Sequence, residues 1–107
     1  MSETVVFDEQ GLVPCVAQDW STGEVLTLAY MNAEALRLTL STRELHFYSR
    51  SRQKLWMKGE TSGNKLEVQQ ILVDCDDDTV LLKVKRLGDG NVCHTGDRSC
   101  FTRSLGK

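Results

Sequence analysis

Little in this sequence would commit it to a membrane, an export route or a nucleic-acid backbone. Its apolar runs are only a few residues long, far short of the ~20 that a bilayer span requires. Positive charge is not in excess: 13 Lys and Arg stand against 15 Asp and Glu, a net charge of −2. That argues against a protein held to nucleic acid by bulk charge. The opening residues Met1-Ser2-Glu3-Thr4 have neither a basic n-region nor an apolar h-region, so no export signal and a cytoplasmic location are expected. Internal repeats, low-complexity tracts and linkers are also missing. With 107 residues, 40% hydrophobic and 26% charged, the expectation is one globular domain over residues 1–107 rather than a disordered chain. A domain of this size buries only ~60–65% of its unfolded surface, so a metal or a partner subunit would add needed stability.

Four cysteines are present. Without an export signal reduced thiols are expected, and clustered thiols in a reducing compartment point to metal binding or catalysis. Cys15 follows Pro14 in an apolar stretch and reads as a small buried hydrophobe. Cys75, Cys93 and Cys100 lie together in the last third of the chain, among acidic residues and a histidine.

The coarse pattern is many short strands and one helix. Val5 to Val16 reads as strands and turns broken by Gly11 and Pro14, and Val25 to Tyr30 as a buried strand. Asn32 is placed to cap a helix from Ala33 to about Ser41, with Glu34 in its first turn and Ala33, Leu36 and Leu40 on one face. Leu45 to Arg50 is rich in strand formers. Lys54 to Lys65, with Gly59 and Gly63, reads as an irregular loop. Val68 to Val73 and Thr79 to Leu87 read as strands around an acidic turn. The expected class is mainly β with one short helix, a small antiparallel barrel or sandwich, dimeric.

That acidic turn, Asp74-Cys75-Asp76-Asp77-Asp78, is the densest chemistry in the chain. Its carboxylates repel one another unless a cation sits among them, although an acidic turn is often no more than a solvated surface. Asp74, Asp76 and Asp78 could supply hard oxygen ligands to Mg²⁺ or Ca²⁺. An EF-hand is excluded, because Thr79 and Lys85 stand where that loop needs Gly and Glu. If the segment is extended, Cys75 points away from the three alternating aspartates, separating a soft thiolate from hard carboxylates. With Cys93, His94 and Cys100 the chain offers three thiolates and an imidazole. A closed zinc site takes four protein ligands and a hydrolytic one takes three plus water. Spacing leaves structural and catalytic zinc on an equal footing.

A second cluster, Ser49 through Asn64, interleaves Arg50, Arg52, Lys54 and Lys58 with Trp56, hydroxyls and glycines. Arginine forks suit phosphate and glycines let backbone N–H groups approach it. The same residues also fit a solvated cationic strand end over a buried tryptophan, or a single-stranded nucleic-acid surface. From residues alone, a hydrolytic enzyme competes with a non-enzymatic zinc module that contacts nucleic acid.

Several blocks together narrow this choice. Gly11-Leu12-Val13-Pro14, Val25 through Asn32, Ser49-Arg50-Ser51-Arg52, Leu55 through Gly63, Asp74 through Asp78, Cys93-His94-Thr95-Gly96 and Ser99-Cys100-Phe101 closely resemble phosphoribosyl-AMP cyclohydrolase, in family order and across nearly the whole chain. The resemblance implies an enzyme of histidine biosynthesis that hydrolyses the N1–C6 bond of the adenine ring of phosphoribosyl-AMP, a small-molecule nucleotide, with no nucleic-acid or membrane partner. It implies a homodimer whose zinc ions, one per subunit, are held by Cys75, Cys93 and Cys100 drawn from both chains. Asp74, Asp76 and Asp78 would bind one Mg²⁺ per subunit. His94 is the first choice for moving the proton and His46 the second. Arg50, Arg52, Trp56, Lys58, Ser62, Gly63 and Asn64 would contact a substrate with two phosphate ends. Some relatives carry a following pyrophosphohydrolase domain; this chain stops soon after Phe101, so that activity is expected in another protein. Thr27 and Arg86 depart from the family's frequent Met and Gln, and the turn before Cys93 looks slightly longer.

Overall fold

The computed structural model describes residues 5–106; Met1-Ser2-Glu3-Thr4, read above for export features, lie outside them. Six strands and one helix follow the chain: β1 Val13–Asp19, β2 Val25–Met31, α1 Ala33–Thr42, β3 His46–Ser49, β4 Lys54–Met57, β5 Leu66–Val73 and β6 Val80–Arg86. Four strands form one sheet in the order β2-β1-β6-β5, and β3 and β4 form a separate hairpin. The mainly β class with one helix is as expected. The four-stranded sheet is open, with β2 and β5 as its edges, and its central pair β1/β6 is parallel while the others are antiparallel.

Period-two burial sets the sheet's inner face. Val13, Cys15, Ala17 and Asp19 of β1 alternate inward, as do Val80, Leu82 and Val84 of β6. These side chains meet Leu26, Met31, Ala35, Leu45, Phe47, Leu66 and Val68 in one core, between the sheet on one side and α1 and the hairpin on the other. Cys15 is 1% exposed, and burial pushes its thiol up to about 12 despite a hydrogen bond with Ala29. It is a core residue. No helix among the described residues is long and apolar enough to cross a membrane.

Three local readings change. The inward face of α1 is Ala35 and Thr39, with Leu36 half-buried and Leu40 exposed. Thr39 belongs inside because its hydroxyl donates to the Ala35 carbonyl and accepts from the His46 N–H at 3.0 Å, joining α1 to β3. Asn32 caps the helix as expected, its Oδ1 accepting from the Ala35 N–H at 2.8 Å. β2 is not fully buried: Val25 and Leu28 face outward, as an edge strand allows. Finally, the first four residues of the expected loop 54–65 are β4, paired from Lys54↔Ser49 to Met57↔His46.

An ion pair stabilises the sheet's end. Asp19, 6% exposed, faces Arg86 at 3.0 Å. Burial disfavours the carboxylate, but the N–H groups of Thr22 and Ser21, the Ser21 hydroxyl and the Arg86 guanidinium outweigh it and bring its pKa down to about 2 from an ordinary 3.8. The folded value lies below the unfolded one, so the contribution is full above about pH 4 and is lost as pH falls towards 2. Asp19→Asn is expected to cost roughly 2–4 kcal/mol at neutral pH, since it also leaves Arg86 uncompensated. It should flatten the loss of stability between pH 4 and 2. Urea unfolding across that range checks both; an unchanged acid limb would show that the carboxylate is not ionised by this pairing.

Candidate active site

Past β6 the described residues form no regular element, and hydrogen bonds to the rest of the fold give them shape. Two stretches lock together first. The Leu87 N–H donates to the Lys65 carbonyl at 2.9 Å, and the Asp89 N–H donates to Asn64 Oδ1 at 2.9 Å. Gly59 must be glycine: at φ +82° an added Cβ would stand 2.4 Å from the Asn64 carbonyl carbon. This glycine serves the close approach of one backbone to another.

The thiol loop, Cys93 to Cys100, is anchored at both ends. The Cys100 N–H donates to the Leu26 carbonyl at 2.7 Å, and the buried Ser99 hydroxyl donates to the Val25 carbonyl at 2.8 Å. At the other end the Val92 and Cys93 N–H groups both donate to the Asp97 carbonyl at 3.0 Å, and the Lys58 ammonium donates to the Val92 carbonyl. The loop thereby brings the Cys93 and Cys100 thiols near enough for each to influence the other's ionisation. The Thr95 hydroxyl and N–H, helped by Cys100, pull Cys93 below the ordinary thiol range against burial and Asp97. Burial pushes Cys100 up, as does Cys93, while the Thr27 hydroxyl and the Lys58 ammonium pull it back. Thr95 was within reach of a sequence reading, two residues from Cys93. Thr27, distant in the chain, was not.

An open cleft of about 480 Å³ joins this loop to the cationic segment. Arg52, Trp56, Lys58, Ser62 and Asn64 line it together with Cys93 and His94. A second cleft, about 640 Å³, shares Arg52 and Trp56 and adds Arg50, whose guanidinium stacks 3.9 Å from the Tyr30 ring centroid. Trp56 packs edge-on against Phe47, centroids 5.3 Å apart. Gly63 is on the exposed turn between Ser62 and Asn64 and lines neither cleft. Of the two histidines, His94 faces the first cleft with Nδ1 3.9 Å from the Cys93 sulfur. His46 Nδ1 lies 2.7 Å from the Glu44 carbonyl oxygen, a bond that requires the proton on that nitrogen and occupies it.

The acidic segment is a turn, not an extended run. Asp74 Oδ1 accepts from the Asp78 and Thr79 N–H groups at 3.0 and 3.2 Å, and Asp77 takes φ 66°. As a result Asp74, Asp76 and Asp78 converge, with ligand oxygens all within 4.8 Å of one another. Partial desolvation opposes the Asp74 charge, but hydrogen bonds from Asp78, Asp76 and the Thr79 N–H hold its pKa down. Asp78 is pushed up by sharing hydrogen bonds with Asp76 and Asp74. This oxygen set fits a hard divalent cation. The thiols fit a soft one only in part: among the described residues no cluster of three candidate ligands contains a cysteine, and Cys75 is exposed on the acidic turn. One chain brings two thiols together.

Comparison with known proteins bears on this arrangement. The family model of phosphoribosyl-AMP cyclohydrolase matches residues 27–102. The chain is 57% identical over 105 residues to the phosphoribosyl-AMP cyclohydrolase of Methanothrix thermoacetophila, covering 98% of this chain and 85% of that protein. It is 56% identical over 101 residues to the enzyme of the same name from Chlorobium limicola, covering 94% and 72%. To the histidine biosynthesis bifunctional protein HisIE of Thermus thermophilus it is 61% identical over 101 residues, spanning 46% of that longer protein. The matched region holds the hairpin, the acidic turn and the thiol loop, and the chain belongs to the phosphoribosyl-AMP cyclohydrolase family, enzymes of histidine biosynthesis.

Proposed function

We propose that the protein is a zinc- and magnesium-dependent hydrolase that opens the N1–C6 bond of the adenine ring of phosphoribosyl-AMP, acting as a homodimer. The carrying observation is the cleft that joins Cys93 and His94 to Arg52, Ser62 and Asn64. Thiols and an acid/base group at one end and anion-binding groups at the other suit a phosphorylated substrate whose base is to be hydrolysed.

The ribosyl substituent on N1 leaves the ring electron-poor, so C6 is the electrophile. Water supplies the oxygen that C6 keeps as a carboxamide. The C6–N1 bond breaks, and the water's protons end on N1 and on the exocyclic nitrogen. Zinc on thiolates supplies a water whose pKa is brought near ~7. His94, on the rim of the cleft beside Cys93, carries the proton to the departing N1. Trp56 offers a face to the base, and Arg52, Ser62 and Asn64 hold one phosphate, with Gly63 joining the last two in the turn. Arg50, across the shared wall in the second cleft, is placed for the other phosphate end. Cys93 and Cys100 of one chain with Cys75 of a second chain make the three-thiolate set, which a single chain does not assemble among its described residues. Asp74, Asp76 and Asp78 hold Mg²⁺.

The test is ring opening followed by ultraviolet absorbance on purified protein given phosphoribosyl-AMP. Turnover that vanishes on chelation and returns with Zn²⁺ and Mg²⁺ together is expected; an intact ring after incubation with metal-loaded protein would reject the reading. Asp76→Asn separates the metals. It should weaken the response of turnover to added Mg²⁺ and leave zinc content unchanged, because carboxylate oxygens favour the hard ion. Loss of zinc with an unchanged Mg²⁺ response would exchange the two assignments.

A further inference from the structure

Lys58 leaves the hairpin immediately after β4, and its backbone N–H is held by the Leu45 carbonyl at 2.9 Å. Its stem is therefore fixed to the body of the domain. Its ammonium lies 5.7 Å from the centroid of the Trp56 ring and donates to the carbonyl of Val92. Val92 is 2% exposed and packs in the core, and the next residue is Cys93. The carbonyl that Lys58 grips therefore sets where Cys93 begins. At the other end of the loop, Cys100 is fixed by backbone bonds to β2 and by Ser99. Lys58 is the long-range side-chain anchor at the Cys93 end, reaching 34 positions along the chain.

We infer that Lys58 is a positioning residue for the Cys93–Cys100 pair rather than a ligand for a substrate phosphate: it holds the Val92 carbonyl and so fixes where Cys93 stands relative to the anchored Cys100. This rests on the zinc reading above. The two roles for Lys58 differ in what they predict before substrate is present. A phosphate ligand acts on substrate binding and leaves the metal untouched. A group that orients metal ligands acts on metal affinity, and removing such a partner costs about 10–100-fold.

The experiment is a zinc dissociation constant, measured without substrate by competition against a chromophoric chelator. It is run on the full chain, on Lys58→Met, which keeps the apolar stem, and on Lys58→Arg, which keeps charge and donors. Lys58→Met is expected to bind zinc about 10–100-fold more weakly, with Lys58→Arg recovering most of that loss. At saturating zinc the KM of Lys58→Met should stay within about twofold of wild type. Zinc affinity unchanged in Lys58→Met overturns the inference, and a raised KM beside it would restore the phosphate role. If Lys58→Met does not fold, Lys58→Leu, which likewise has no donor, carries the same comparison. A wild-type chain that binds no zinc fails earlier, and overturns the zinc reading together with this one.

Discussion

Under the zinc-hydrolase function proposed above, Cys100→Ser is expected to bind no zinc and to cut turnover about a thousandfold or more, because water without the ion keeps a pKa near 15.7 instead of ~7. The substitution is nearly isosteric, and the backbone anchors stay: the Cys100 N–H on Leu26 and the Ser99 hydroxyl on Val25. The fold should therefore survive while the ligand set does not, since a hydroxyl is a far weaker ligand than a thiolate for a borderline-soft ion. Cys93 and Cys100 influence each other's ionisation, so the loss reaches both sulfurs. Zinc content by atomic absorption, the melting temperature and turnover should be measured on one preparation. Stoichiometric zinc with full activity would remove Cys100 from the reacting centre.

Mixing two dead proteins is expected to return about a quarter of wild-type activity. Cys75→Ala and Cys93→Ala each destroy every site in their own homodimers if Cys75 comes from one subunit and Cys93 and Cys100 from the other. In a mixed dimer one site collects both substitutions and the second is intact. Random exchange makes half the dimers mixed, each with one working site of two, which gives the quarter. The motivation is physical. Cys93 and Cys100 pair within one chain, whereas among the described residues no three-ligand cluster contains a cysteine, and Cys75 is exposed on its turn. If each site lay within one chain, every site would carry a substitution and nothing would return. Absence of recovery with subunit exchange proved by mass spectrometry would reject the shared site.

The acidic turn shows how far sequence reading reached in the candidate site. The three alternating aspartates were legible as a set, but an extended segment would only have spaced them along one face. Their convergence depends on Asp74 accepting two backbone N–H groups while Asp77 takes a left-handed conformation. The histidines are a second case. Both are plausible acid/base groups by type, and only the Glu44 carbonyl beside His46, against the cleft beside His94, separates them.

What the sequence by itself determined is whatever is written locally. It carried most of the strand spans, the place of the helix though not its buried face, the Asn32 cap, the burial of Cys15, the mainly β class and, through blocks in order, the family. What only the tertiary structure decided is whatever depends on partners far along the chain. β4 was lost in a stretch punctuated by Gly59 and Gly63, because four residues hold as a strand only through pairing with β3. The parallel β1/β6 pair at the centre of the open sheet joins strands far apart in the sequence. Thr27 beside Cys100, Lys58 on Val92 and Asn64 under Asp89 follow for the same reason. A hydrogen bond between distant residues is set by where the folded backbone puts them, and no local preference of either residue encodes that distance.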